Sequence, residues 1–214
     1  MPDDPKPTGT IVVSGTGRVA VQPDVADLRL GVTVTKPTVE AARGEAAATM
    51  DAILRAVEGA GVARADIRTA MLSVQPRYDY RDGRAPVLTG YEIGNAVQVS
   101  VRDLATIGDV IDGTLAAGAT SMDALEFRVA DPANAEREAR RHAMAEARSR
   151  ADVLAEAAGL TITGVSDVIE GQPLRPPVPV AKAERMAFAS DMATPVEAGM
   201  LEVAVTVSVT YRAG

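Results

Sequence analysis

Apolar and polar residues alternate most regularly near the end of the chain. Val203, Val205, Val207, Val209 and Tyr211 fall on one side, and Ala204, Thr206, Ser208 and Thr210 on the other. A period of two sends successive side chains to opposite faces, so this run predicts a half-buried strand. The same period recurs early. Ala26, Leu28, Leu30, Val32 and Val34 alternate with Asp27, Arg29, Gly31 and Thr33, with one mismatch at Val25. Ahead of that strand, residues 10–14 are a short apolar run, Gly15-Thr16-Gly17 reads as a turn, and residues 18–22 alternate until Pro23-Asp24. Further strands are predicted over about residues 70–80, 86–101, 125–129 and 162–169. Asp82-Gly83 supplies a hairpin turn between the first two of these.

Other segments carry helical spacing. Pro37 suits a first helical turn, where its missing N–H does no harm, and Val39, Ala42, Ala46, Ile53 and Val57 then share a face until Gly59 and Gly61. Asp103 is the expected cap of a second helix with Leu104, Ile107, Ile111 and Leu115 inward. Asp131-Pro132 opens the longest helix, running to about Ala158 and stopped by Gly159, with Met144, Ala147, Ala151, Leu154 and Ala158 as its apolar stripe. Glu136–Arg140 and Glu146–Arg150 are acid-first pairs four residues apart, which support the helix slightly.

Strands interleaved with three amphipathic helices predict an α+β fold: a mixed, mainly antiparallel sheet with the helices packed on it and an extended Tyr-rich hairpin. Residues 1–9 read as a disordered, polar, Pro-rich leader, and residues 10–214 as a single domain or two fused α/β subdomains. Within it, the pattern dissolves over residues 171–196 around Pro173, Pro176, Pro177 and Pro179, which predicts a mobile Pro/Met-rich loop.

Composition narrows the chemistry. The chain has no cysteine and one histidine, His142, so thiolate catalysis and zinc sites built from several His or Cys ligands are ruled out. A Ser-His-Asp arrangement would need His142, which stands among Glu138, Arg140, Arg141 and Glu146 and reads as part of a solvated helix face. No catalytic residue, cofactor or metal ligand is assigned, and the expectation is a protein that works without catalysis. A net charge of −7 opposes binding to duplex nucleic acid and unspecific attraction to anionic membranes. No run approaches the ~18 apolar residues of a spanning helix. The first ten residues carry acids and no apolar stretch. As written, the chain is therefore expected in the cytoplasm, with a periplasmic or extracellular location the alternative if Met1 is an engineered mature start.

Three places invite a functional reading. Gly15-Thr16-Gly17-Arg18-Val19-Ala20 matches a loose dinucleotide-binding pattern, but that mechanism needs a helix to begin there, and residues 18–22 alternate like a strand. The hairpin holds Arg77, Tyr78, Tyr80 and Arg81 with Tyr91 opposite, residue types enriched at binding hot spots. The same residues also read as cross-strand pairs that only stabilise the ribbon, and both readings stand. Its carboxylates Asp79 and Asp82 are the candidate pair should the chain be an unrecognised enzyme, and a small-molecule carrier is a further alternative. Met186, Phe188 and Met192 in the Pro-rich loop are adaptable apolar groups suited to a subunit interface or a partner groove.

These landmarks, in order, resemble the SIMPL domain family. The resemblance rests on Gly15-x-Gly17 with Val19, Pro23-Asp24-x-Ala26, Gly61-Val62, Asp66-Ile67, Pro76-x-Tyr78-x-Tyr80, Gly90-Tyr91 and Asn95. It continues through Asp103-Leu104, Ile111-Asp112, Gly118, Phe127, the alanines Ala135, Ala139, Ala143, Ala147 and Ala151, then Leu154-Ala155 and Gly159. The family includes bacterial envelope proteins and a mammalian signalling adaptor that binds a receptor-associated kinase. The resemblance implies an α+β fold with no established catalytic residue. It also implies assembly into large rings in some bacterial members, surface antigens among others, and a link to oxidative-stress tolerance. The expected function is thus self-assembly, with the chain a homo-oligomer, or binding of a protein partner, in a stress-protective setting.

Overall fold

The computed structural model describes residues 9–80, 85–171, 178–180 and 194–214. Arg81, Asp82, Met186, Phe188, Met192 and residues 1–8 of the expected leader lie outside the described residues.

The elements run β1 (Gly9–Val21), β2 (Val25–Lys36), α1 (Val39–Gly59), β3 (Ile67–Asp79), β4 (Val87–Val101), α2 (Ile107–Ala116), β5 (Ser121–Arg128), α3 (Ala133–Ala157), β6 (Ile162–Glu170), β7 (Val178–Val180) and β8 (Met200–Ala213). This is an α+β fold. Instead of one mixed sheet, the described strands form two, ordered β1-β8-β6 with β7 also on β8, and β3-β4-β2-β5. Every pairing is antiparallel. The chain divides into two compact units. A terminal unit takes described residues 9–22, 129–171, 178–180 and 199–214, and a central unit takes 23–80, 85–128 and 194–198.

The central unit is built on the alternation of β2. Ala26, Leu28, Leu30, Val32 and Val34 are all buried, together with Ile93, Val97 and Val99 of β4 and Ile53 and Val57 of α1. Each fully buried Leu or Ile contributes roughly 2 kcal/mol of transfer free energy. Met50 joins the α1 stripe, whereas Val39, in the first turn, is 38% exposed. Pro37 lies just before the helix, and the N-cap is Thr38, whose Oγ1 accepts from the Ala41 N–H. Asp103 caps a short 3₁₀ turn, Leu104–Thr106, so α2 starts later than its pattern suggested. Its buried side is Ile107, Val110, Ile111 and Thr114, and Leu115 faces out.

In the terminal unit β1 runs unbroken through Gly15-Thr16-Gly17, where a turn was expected. The glycines are there for α3. A Cβ on Gly15 would stand 2.1 Å from the Ala143 carbonyl oxygen, and one on Gly17 would stand 1.8 Å from that of Ala139. Only a residue without a side chain lets the helix backbone lie this close to a strand. The helix answers with methyl groups. Its buried stripe is Ala135, Ala139, Ala143, Ala147, Ala151 and Ala155, while Leu154 and Ala158, expected inside, are exposed. Ile11 and Val13 of β1 and Val205, Val207, Val209 and Tyr211 of β8 complete this core.

The three described α-helices end alike. Gly61, Gly118 and Gly159 follow the C-caps with positive φ, and each donates back to the helix. The next residues, Val62, Ala119 and Leu160, bond to Val57, Thr114 and Ala155. These are Schellman ends, which satisfy the last carbonyls and favour glycine at the left-handed position.

Candidate hairpin surface

β3 is the outermost strand of the central sheet and pairs only with β4 among the described residues. Asp79 stands opposite Val87 and Pro76 opposite Tyr91, and the register shifts between Thr69 and Met71 and again between Arg77 and Tyr78. Such bulges twist a ribbon and re-aim its side chains. α1 packs on β2 and β4, the two inner strands. Leu72 is accordingly 69% exposed and Val74 53%. Val87 and Leu88 on the returning strand are exposed as well.

The candidate residues divide within this ribbon. Tyr78 and Tyr80 are exposed, the latter 76%, with ring centroids 6.4 Å apart and planes tilted by 59°. Arg77 is engaged across the strands, its Nε donating to Glu92 Oε2 at 2.9 Å. It therefore holds the ribbon rather than presenting an unpaired charge. Tyr91 is half-buried across from Pro76. The structure thus brings Arg77, Tyr78, Tyr80 and Tyr91 onto one hairpin. Asp79 closes β3, and its proposed partner Asp82 is outside the described residues.

Sequence reading missed the aliphatic half of this surface, Leu72, Val74, Val87 and Leu88. Leu72 and Val74 alternate with Ser73 and Gln75 as in any half-buried strand. The pattern reports which side chains share a face but not whether anything covers it.

The sheet face away from the helices is polar. Burial pushes the Asp27 carboxyl up, but hydrogen bonds from Arg128 (Nε to Oδ2, 2.8 Å) and Ser100 outweigh this and hold it below its ordinary value of 3.8. Asp66 is also held down, by the two hydrogen bonds it accepts from Arg102 at 2.8 and 2.9 Å. Arg68 donates to Gln98 at 2.7 Å. These groups answer one another across the strands. Among the described residues no cluster of three or more His, Cys, Asp or Glu side chains is placed to hold a metal ion. No described helix is long and apolar enough to cross a membrane.

Two antiparallel sheets, three helices and an edge hairpin with bare apolar side chains define a two-unit α+β protein. Its conspicuous surface is a strand pair. The chain belongs to the SIMPL family, described as a protein of unknown function (DUF541), which it matches over residues 11–211. It is 31% identical over 209 residues to the 26 kDa periplasmic immunogenic protein of Brucella melitensis, covering 94% of this chain and 84% of that one. It is 34% identical over 155 residues to the uncharacterized protein YggE of Escherichia coli K12, covering 72% of this chain and 61% of YggE. The YggE of Edwardsiella ictaluri is 30% identical over 158 residues, with 74% and 66% covered.

Proposed function

We propose that this SIMPL protein acts without catalysis, by self-assembly through the β3–β4 hairpin or by binding a protein partner there, in a stress-protective setting. The observation that carries this reading is the edge itself. β3 is a 13-residue strand with a single described neighbour, and it bears exposed Leu72, Val74 and Tyr78, with Tyr80 just beyond. Edge strands normally carry charges, prolines or cover that discourage pairing. In β3 such features lie towards its ends, Arg68 with a bulge between Thr69 and Met71, and Pro76, Arg77 and Asp79 with a second bulge, which leaves residues 71–75 as the stretch able to accept a further strand. Burying the aliphatic and Tyr side chains supplies the driving force, at roughly 25 cal/mol per Å² of apolar surface.

The compartment we propose is the periplasm. The support is the description of the Brucella relative as periplasmic, together with its 84% coverage by this chain.

Light scattering coupled to gel filtration tests the assembly reading, on the wild type, on Leu72→Lys with Tyr80→Ser, and on a chain lacking residues 172–194. A discrete oligomer that dissociates with the hairpin variant supports it. Loss of the oligomer only on loop deletion moves the interface to the Met186, Phe188 and Met192 segment. A monomer throughout at high concentration overturns self-assembly.

A further inference from the structure

Among the described residues β1 is an edge of the terminal sheet, bonded to β8 on one side. In an antiparallel pair alternate residues turn both N–H and C=O away from the partner strand. Ser14, Thr16 and Arg18 belong to one such alternating set, and α3 meets all three with side chains. Arg150 Nη1 donates to the Ser14 carbonyl at 2.7 Å. The Thr16 N–H donates to Glu146 Oε2. His142 Nδ1 lies 3.4 Å from the Arg18 carbonyl, the weakest of the three contacts.

The rungs form a ladder because two periods nearly coincide. Four helical residues rise about 6 Å, and two strand residues rise about 6.8 Å. With the helix antiparallel to the strand, positions 150, 146 and 142 fall beside 14, 16 and 18. Glu146 and Arg150 also bind each other, Nη2 to Oε1 at 2.6 Å, so each side chain is fixed by the other as well as by the strand. An acceptor carboxylate beside a donor guanidinium reproduces the alternation that the backbone of a neighbouring strand would present. Gly15 and Gly17 make this possible, since they bring the helix flank within side-chain reach of the strand edge.

We infer that the His142–Glu146–Arg150 flank of α3 is an edge guard: it occupies outward backbone groups of β1 at Ser14, Thr16 and Arg18 in place of another strand and keeps the middle of that edge from pairing with a second copy of the chain. A 13-residue edge left open is a template for edge-to-edge association. The guard concerns a different strand from the hairpin and stands whether or not β3 pairs. It gives work to the lone histidine and to an ion pair that a helix alone would use only for slight local support.

The test compares Glu146→Ala/Arg150→Ala with Arg140→Ala/Arg148→Ala, which removes charges of the same helix that reach Glu170 and the Tyr211 ring instead. Hydrogen exchange at the Thr16 amide and sedimentation velocity over a range of concentrations are measured on both and on the wild type. The guard predicts a protected Thr16 amide in the wild type, exchanging about tenfold faster in the first variant, as expected for loss of one charge-assisted hydrogen bond. It also predicts association beyond that of the wild type in the first variant alone. Unchanged Thr16 exchange overturns the inference, as does equal association in the two variants. If the alanine variant does not fold, Glu146→Arg/Arg150→Glu keeps the helical pair but reverses acceptor and donor. Retained protection of Thr16 there overturns the guard, and lost protection supports it.

Discussion

At Gly17 the difference between a hydrogen and a methyl decides how α3 meets β1. An alanine Cβ would stand 1.8 Å from the Ala139 carbonyl oxygen and 2.6 Å from the Ala143 nitrogen, both backbone atoms that move only with the helix. Gly17→Ala should therefore cost about 3 kcal/mol, at the upper end of overpacking penalties, read as a lower urea midpoint with an unchanged slope. Gly44 is the opposite case. It lies within α1, exposed, and a Cβ there meets nothing within 4 Å. Gly44→Ala should raise stability by about 0.5–1 kcal/mol, because alanine loses less backbone freedom on entering a helix. Both residues are glycine in the sequence. What separates them is a neighbour more than a hundred positions away for Gly17 and open space for Gly44, and no local pattern carries that information.

Among elements, the ends of α1 and α3 were the most legible, while no stop was read for α2. Gly61, Gly118 and Gly159 follow their helices where a left-handed residue is needed, and a Schellman end is a short-range structure that six consecutive residues specify. Gly61→Ala should cost about 1 kcal/mol, since its φ of 91° strains any residue with a Cβ while no neighbour obstructs one. Thermal melts of that variant check it. The flank of a helix was harder to read. Leu154 looked inward by hydrophobicity, yet Ala151 and Ala155 face the sheet, because close approach over glycine rewards small side chains over large ones. The hairpin was legible in its two strands and its tyrosines but not in its exposure. Leu72→Thr with Val74→Thr keeps β-branched or strand-compatible residues at exposed sites, so stability should change by no more than about 0.5 kcal/mol per site. If the ribbon is an interface, self-association measured by light scattering should nevertheless fall. A large loss of stability with unchanged association would mark the two residues as structural.

For the whole molecule, acid exposes the charge arrangement. Asp27 and Asp66 both sit below their ordinary value of 3.8 in the folded chain. As pH falls through 3.8 the unfolded chain takes up these protons first, so the stabilisation is complete above that value and is lost towards and through the depressed folded values. Asp27→Asn with Asp66→Asn should lower stability near neutral pH and flatten its decline below 3.8 in urea titrations repeated across pH. An unchanged slope would mean that the pairs with Arg128 and Arg102 contribute nothing. The sequence by itself determined the α+β class, the alternation of β2 and β8, the three helices with glycine stops for the first and third, and enough ordered landmarks to resemble the SIMPL family. The class, the alternation and the helices follow from propensity and periodicity within a few turns of chain, whereas the resemblance rests on particular residues in a fixed order. Tertiary structure alone decided that there are two sheets, that β1 continues through Gly15 and Gly17, which strand lies bare, and that Glu146 reaches Thr16 across 130 residues. Those outcomes depend on which distant surfaces meet, and a residue's near neighbours in sequence do not encode how closely a remote helix will pack.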